Sequence, residues 1–376
     1  MTDDNLALER DVEKVRRVLI LTGGGDAPGI NAVLCAFVKT AADLGLKVYA
    51  SQDGFAGLIA EPSRVSKLTA DDIEGVIGRG GCILGCSDRS NPFAYEVTSP
   101  GGGVRTIDIS ERVVAKLDER EIDILVLVGG DGTLEIGMRF AKMGVAVIAI
   151  PKTIDNDLGA TDVSFGLDTA VETATGAIDA LRSASEPHDQ VAIVEVSGHD
   201  AGWVALMSGI AGDADVVLIP EIPYDLDRVV EKVESGSTSG RKLDVIVIAE
   251  GSKPLGGTVS DIHAAHDGPV QRHDASGTQL ARLLEGRIGH EVRVTTLGHL
   301  QRGGSPTSFD RLLGARFGVH AAELCYHDTI GHMVTLRGQD TISVPLEAAV
   351  GNIKRVPPDG ELVAVARSLG IELGQE

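Results

Sequence analysis

Two carboxylates two residues apart, Asp155 and Asp157, lie in Thr153-Ile154-Asp155-Asn156-Asp157, directly after an apolar run and Pro151-Lys152. One carboxylate at a strand end can take a proton from a hydroxyl, and another can help hold a metal, which is the equipment of phosphoryl transfer. The same residues also suit a polar turn, because Asn and Asp bond their own backbone. Gly23-Gly24-Gly25-Asp26 and Gly129-Gly130-Asp131-Gly132-Thr133 each close an apolar run and open a helix-like stretch. Backbone without side chains can approach phosphate oxygens at such a turn, and a helix N-terminus favours anions. Neither stretch is a GxGxxG or Walker pattern, so each reads as a structural turn or as a phosphate cradle. Asp131 could hold a Mg²⁺ that bridges donor phosphates, or cap the helix behind it. Arg293, His299 and Arg302 lie within ten residues around another strand end and together could bind a dianionic phosphate.

The elements that must position these groups alternate. Arg17 to Thr22 reads as a strand, Asn31 to Leu44 as a helix and Lys47 to Ala50 as a second strand. Ile122 to Val128, a helix from Thr133 to Met143, and Val145 to Ile150 repeat the design, and continuous apolar runs of this kind suit strands buried on both faces. Further strands are expected at Val191 to Val196, Val216 to Ile219, Leu243 to Ala249 and Val292 to Leu297. These are too many for one comfortable sheet. The expected fold is therefore α/β, with two Rossmann-like three-layer lobes built on mainly parallel sheets. The polar and glycine residues fall at the carboxyl ends of the strands, where open α/β sheets bind ligands.

With 376 residues the chain can bury an ample core, and only 3% aromatic residues means that Val, Leu, Ile and Ala fill it. The net charge of −21 argues against a general nucleic-acid binder, which needs a basic footprint, but not against a phosphate held by local cations. Cys82 and Cys86 are four apart, and no second Cys or His pair follows at zinc spacing. Free thiols and a cytoplasmic location are expected. Residues 1–16 read as a polar extension without signal-peptide character, and no segment is apolar enough to span a bilayer.

Taken in order, LTGGGDAPGINAV, GGDGTLEIG, PKTIDNDL, FGLDTA, VEVSGHDAGWVAL, IPE, AEG and LGHLQRGGSPTSFDRLLGARFG resemble the phosphofructokinase family over almost the whole chain. MVTLRGQDTISVPL resembles an actinobacterial and related subgroup. The resemblance implies a Mg²⁺-dependent phosphotransferase with a donor lobe over 17–166 plus about 300–350, and an acceptor lobe over 167–299 plus about 351–376. It implies that Asp155 is the base, flanked by the acceptor contacts Thr153 and Asp157, and that Asp131 is the metal-linked carboxylate. Gly24 would approach the transferred phosphoryl group, with Gly25, Gly130, Gly132, Thr133, Lys152 and Arg89 on the donor side. Glu250 would bind sugar hydroxyls, and Arg293, His299 and Arg302 would surround the acceptor phosphate. The family also implies a homodimer or homotetramer with shared active sites, small-molecule substrates, and neither a nucleic-acid nor a membrane partner.

Two positions speak to the donor and disagree. In the family, Gly at position 132 goes with ATP, whereas Lys at position 152 goes with pyrophosphate, and the positive charge of Lys152 tilts the balance slightly to pyrophosphate. Three departures touch the acceptor side. Gln190, in His188-Asp189-Gln190, replaces an Arg that reaches a neighbour's sugar phosphate, and Ser197-Gly198-His199 replaces Met-Gly-Arg. The usual GGT-[IF]-LGS-[SA]-R loop reads Gly80 to Arg89 with Cys82 and Cys86 at its Thr and Ser positions, and is one residue longer at Asp88. The lost charges leave open a changed acceptor: an epimeric ketose phosphate, a heptose phosphate, or an unphosphorylated sugar or cyclitol. A non-catalytic regulatory paralogue would be expected to lose Asp155 or Asp131, and an NAD-linked enzyme would be expected to carry GxGxxG.

Overall fold

In a computed structural model of the chain, residues 15–87, 90–98, 102–185, 190–238, 243–256 and 276–375 are described. Arg89, with the neighbouring Asp88, and the His188-Asp189 pair lie outside these residues, as does most of the N-terminal extension.

β1 (Arg17–Thr22), β2 (Lys47–Ser51), β6 (Ile124–Gly129), β7 (Val147–Pro151) and β12 (His332–Arg337) run parallel in one sheet of order β13-β12-β7-β6-β1-β2-β3. Its two edges, β3 (Val65–Lys67) and β13 (Asp340–Pro345), are antiparallel. β8 (Gln190–Val196), β9 (Val216–Leu218), β10 (Leu243–Ala249) and β11 (Glu291–Thr296) form a second, wholly parallel sheet of order β11-β8-β10-β9. β4 (Tyr95–Thr98) and β5 (Val104–Ile107) make a separate hairpin.

Each large sheet is covered on both faces, because successive strand side chains point to opposite sides. Val18, Ile20, Val126 and Ile148 pack in one core cluster with Phe37 of α1 (Ile30–Asp43) and Phe317 of α9 (Ser308–Tyr326). Leu19, Leu21, Leu125 and Leu127 belong to another, with Leu117 of α3 (Ser110–Glu119) and Phe140 of α4 (Asp131–Lys142). Around the second sheet, Val194 and Val247 join the first cluster together with Ile178 of α5 (Leu167–Ser185) and Val204 of α6 (Trp203–Ala211). Ile193 and Ile246 face α7 (Leu226–Thr238) and α8 (Ser276–Leu284) through Val233 and Leu280. One continuous core thus runs from sheet to sheet. The short helix α2 (Phe55–Ile59) supplies Phe55 to the first lobe, and α10 (Glu361–Ser368) packs on α6. Among the described residues, no helix is long and apolar enough to cross a membrane.

The expected strands and helices are present, with ends shifted by a residue or two. The β12–β13 hairpin is not among the expected elements. Its signal in the sequence is Gly338-Gln339, with Gly338 at φ 56°, between two runs that pair across the turn.

Helix α9 bridges the lobes through one buried carboxylate. Asp310 is fully buried and accepts from the Gly166 amide at 2.8 Å, the Thr169 amide at 2.8 Å and the Thr169 hydroxyl at 2.5 Å. The FGLDTA and SFDRLLG stretches therefore meet as donor and acceptor at the start of α5. Gly314 lets α9 close on α1, because a Cβ there would stand 2.7 Å from the Gly29 carbonyl oxygen. Asp310→Ala leaves buried donors without an acceptor and should destabilise the chain by about 2–3 kcal/mol or more. Chemical denaturation reads this directly, and a loss below about 1 kcal/mol would show that the three bonds do not brace the lobes.

Candidate active site

The carboxyl ends of the two sheets converge on the loop after β7. Pro151 ends that strand, and the Lys152 amide still donates to the Gly129 carbonyl at 2.9 Å, so the loop leaves the sheet beside the second glycine turn. Thr153 Oγ1 accepts from the Asp155 amide at 3.1 Å and donates to Asp157 Oδ1 at 2.9 Å. Asn156 adopts φ 53°, and its Oδ1 receives the Ser164 amide at 3.1 Å and the Lys354 ammonium at 2.9 Å. Asn156 therefore shapes the loop, while Asp155 and Asp157 are left to act.

Asp155 reaches the second sheet. Ser197 Oγ, just past β8, donates to Asp155 Oδ1 at 2.6 Å. Ser197 is itself held by Gln301, a fully buried side chain whose Oε1 accepts the Ser197 amide at 2.8 Å. Burial pushes the Asp155 carboxyl up to about 6. The Ser197 hydrogen bond and the Arg302 charge oppose this, and the Asp157 and Glu250 charges add to it. A carboxylate poised there is ionised near neutral pH and still basic enough to accept a proton from a hydroxyl. Glu250 follows β10, and its Oε1 lies 3.5 Å from the Gly198 amide.

Two clefts meet at the first glycine turn, and the larger shares Arg302 with this centre. A cavity of 290 Å³ is lined by Gly23, Gly24, Gly130, Asp131, Gly132 and Thr133, with Phe55 and Ile136 as its apolar wall. A larger one of 690 Å³ is lined by Gly24, Gly25, Asp26, Cys82, Cys86, His299 and Arg302. Gly24 belongs to both, at φ 73°, where a side chain would be strained. Its amide donates to the Ser87 carbonyl at 3.1 Å, so what it offers a ligand is a surface without a Cβ rather than a free donor. Asp131 does not cap α4. It stands in the first turn, and its Oδ1 accepts the Gly351 amide at 3.1 Å. Lys152 is buried, and its ammonium donates to the Gly25 carbonyl. Burial lowers its pKa, against the neighbouring Cys86, Cys82 and Asp26. Burial likewise raises the pKa of Asp26, against the Ala27 amide, Lys152 and Arg302.

The structure thus gathers Lys152, Thr153, Asp155, Asp157, Ser197, Gly198, Glu250 and Arg302, with His199 and His299 exposed at the rim. It does not bring Gln190 and Arg293 to them. Gln190 opens β8 and pairs with Glu291, which opens β11, whereas Ser197 follows the other end of β8. Seven residues of strand separate Gln190 from Ser197 by roughly 20 Å. Gln190 Nε2 and Arg293 Nε instead both donate to Glu291, at 2.8 and 3.0 Å. Arg293, His299 and Arg302 are therefore not one cluster within the chain, because their short sequence spacing crosses most of a strand. The residues missed from sequence are supports: Gln301, Ser164 and Lys354. The Lys354 ammonium also donates to the Thr161 and Asp162 carbonyls, and burial lowers its pKa to about 8.

Ser197→Ala should raise the Asp155 pKa further, since the lost hydroxyl favours the ionised form. The acid limb of the kcat/KM profile would then move to higher pH. An unmoved limb would separate Ser197 from the proton acceptor.

A family model described as Phosphofructokinase matches residues 17–325. The chain is 44% identical over 363 residues to ATP-dependent 6-phosphofructokinase 2 of Clostridium perfringens, covering 96% of this chain and 99% of that protein. It is also 44% identical over 369 residues to the ATP-dependent 6-phosphofructokinase of Chloroflexus aggregans, with the same coverage. The solved phosphofructokinase of Saccharomyces cerevisiae, 27% identical, superimposes with a TM-score of 0.73 over 89% of this chain and 45% of that one.

Proposed function

The chain belongs to the phosphofructokinase family, and from that premise we propose that it transfers the terminal phosphoryl group of ATP to a hydroxyl of fructose 6-phosphate. The observation that carries this reading is the Asp155 carboxylate, held by the Ser197 hydroxyl at the junction of the two sheets and within reach of the charge of Arg302, which lines the larger cleft. With the acceptor hydroxyl against Asp155, the carboxylate takes its proton as that oxygen forms its bond to the transferred phosphorus. The bond from phosphorus to the donor's bridging oxygen breaks, and the negative charge leaves with the donor. Arg302, on the larger cleft, then acts on charge spread over the transferred oxygens, and the glycine turns leave those oxygens room to approach.

Lys152, taken by charge alone, favours pyrophosphate. Several observations favour ATP instead. The relatives at 44% identity are named ATP-dependent. The Lys152 ammonium is buried against the Gly25 carbonyl, not presented to solvent. A Cβ built on Gly132 meets nothing within 4 Å, so the second glycine turn leaves room, and Phe55 and Ile136 supply an apolar wall of the kind a base requires.

Asp131 fits a Mg²⁺ role. Among the described residues no three metal-ligating side chains cluster, and Mg²⁺ commonly takes one or two carboxylates with substrate phosphates and water. When bound, the ion would neutralise charge on the donor phosphates. On this reading the first lobe takes the donor and the second takes the acceptor. Gln190 and Arg293, remote from their own Asp155, serve the site of a neighbouring subunit in a homo-oligomer.

Three outcomes are expected. Purified protein with Mg²⁺ should form a fructose bisphosphate from fructose 6-phosphate faster with ATP than with pyrophosphate at equal concentration; the reverse order would return the donor to pyrophosphate, and no turnover with either would redirect the acceptor. Asp155→Ala should lower kcat by about 10²–10⁴-fold while donor binding persists, and near-normal turnover would remove Asp155 from proton transfer. Asp131→Ala should raise the Mg²⁺ concentration required for half-maximal rate, and an unchanged requirement would exclude it as a ligand.

A further inference from the structure

The larger cleft holds two thiols that proton transfer does not use. Cys82 and Cys86 line it beside Gly25, Asp26 and Arg302. Cys82 opens, and Cys86 directly follows, a turn closed by the Gly85 amide on the Cys82 carbonyl at 3.1 Å, with Gly85 at φ 69°. The Cys82 thiol donates to the buried Thr22 hydroxyl, its Sγ 3.8 Å from Thr22 Oγ1, and the two thiols are close enough for each to shift the ionisation of the other. Thr22 ends β1, and its hydroxyl also donates to the Gly85 carbonyl. The pair is thus anchored to the strand that delivers the first glycine turn. Neither cysteine is disulfide-bonded, and the other two free cysteines, Cys35 and Cys325, are buried.

We propose that Cys82 and Cys86 are a modification site, an oxidisable thiol pair that a hydroperoxide converts to a disulfide, closing the cleft to productive phosphoryl transfer. The groups facing the pair are Lys152, Asp26 and Thr22. Cys86 is the attacking thiol, because the neighbouring Cys82 thiol and the Lys152 ammonium lower its pKa to about 7, against burial and Asp26. The Cys86 thiolate attacks one peroxide oxygen, the O–O bond breaks, and the departing alkoxide takes a proton to leave as an alcohol. Cys82 sulfur then attacks the sulfenic sulfur. The S–S bond forms as the S–O bond breaks, and the Cys82 proton leaves with the hydroxyl as water. Two thiols are oxidised and one hydroperoxide is reduced.

The same loop carries the consequence for the site. Ser87, next to Cys86, pairs with Gly23 in a short bridge, accepts the Gly24 amide at 3.1 Å and lines the smaller cleft. A cross-link that redirects residues 82–86 therefore pulls on the first glycine turn and on both cavities. It also replaces an anionic sulfur beside Lys152 with a neutral one. This consequence rests on the proposed phosphoryl-transfer role of the clefts, whereas formation of the disulfide does not.

The full-length reduced protein is treated with tert-butyl hydroperoxide, quenched with an alkylating reagent and mapped by peptide mass. In parallel, the rate with ATP and fructose 6-phosphate is measured before treatment, after treatment and after a dithiol reductant. The expected result is a Cys82–Cys86 disulfide with Cys35 and Cys325 still alkylated, and a reversible fall in rate of about 100-fold. Cys86→Ser and Cys82→Ser, each compared with its own untreated rate, should resist both changes. Absence of the disulfide, or its formation elsewhere, overturns the pair. A disulfide that leaves the rate intact overturns its effect on transfer. An untreated protein inactive with both ATP and pyrophosphate counts against the proposed function alone, because the mapping still decides the thiol chemistry.

Discussion

Taking an ionisable carboxylate out of water disfavours its charged form, and this architecture depends on doing so at one point. Asp155 is placed where two parallel sheets present their carboxyl ends, among Asp157, Glu250 and Arg302. Its neighbours are balanced rather than uniformly favourable: one hydroxyl and one guanidinium hold the charge, and two carboxylates oppose it. Either sheet alone would leave the group in a different state. The first lobe supplies the carboxyl, and the second supplies Ser197 and Glu250.

Much of the surrounding polar network keeps that junction in register. Gln301, fully buried, holds the Ser197 backbone from one side and reaches the Ala170 carbonyl at 3.4 Å on the other. Asp310 ties α9 to the beginning of α5, and Lys354 braces the loop that carries Asp155. These side chains come from segments far apart in sequence, so each depends on the fold being complete before it can bond. Their buried bonds cost little when satisfied and are expensive to leave open.

The alternating strands and helices, and the functional loops at strand ends, were legible because a short apolar run that stops at glycine fits a buried strand running into a turn and little else. Asp155, Asp131 and Arg302 were legible for the same reason. The phosphofructokinase resemblance assigned them roles but not the partners they have here, and the family match agrees with the resemblance itself. Local spacing misled at Arg293: ten residues is near in sequence, but along a strand it is far in space. Gln301 and Lys354 were illegible, since nothing local marks a Gln or Lys whose partners lie more than a hundred residues away. The β12–β13 hairpin was missed because β13 is half exposed and resembles an ordinary surface segment, although β12 is largely buried.

The first sheet closes late in the chain. β7 ends at Pro151, yet its neighbour on one side is β12, which begins at His332 and is itself covered by β13. During synthesis, at about 5–20 residues per second, the apolar edge of Val147–Pro151 stays unpaired for on the order of ten seconds or more while the whole second sheet is made. An open apolar edge is the element most prone to pairing with another chain. The nascent protein is therefore exposed to aggregation until residues 332–345, close to its end, emerge from the ribosome. The hairpin that completes the sheet also ends that vulnerability, so a chain truncated before His332 leaves that apolar edge open while keeping Asp155, Ser197 and Arg302.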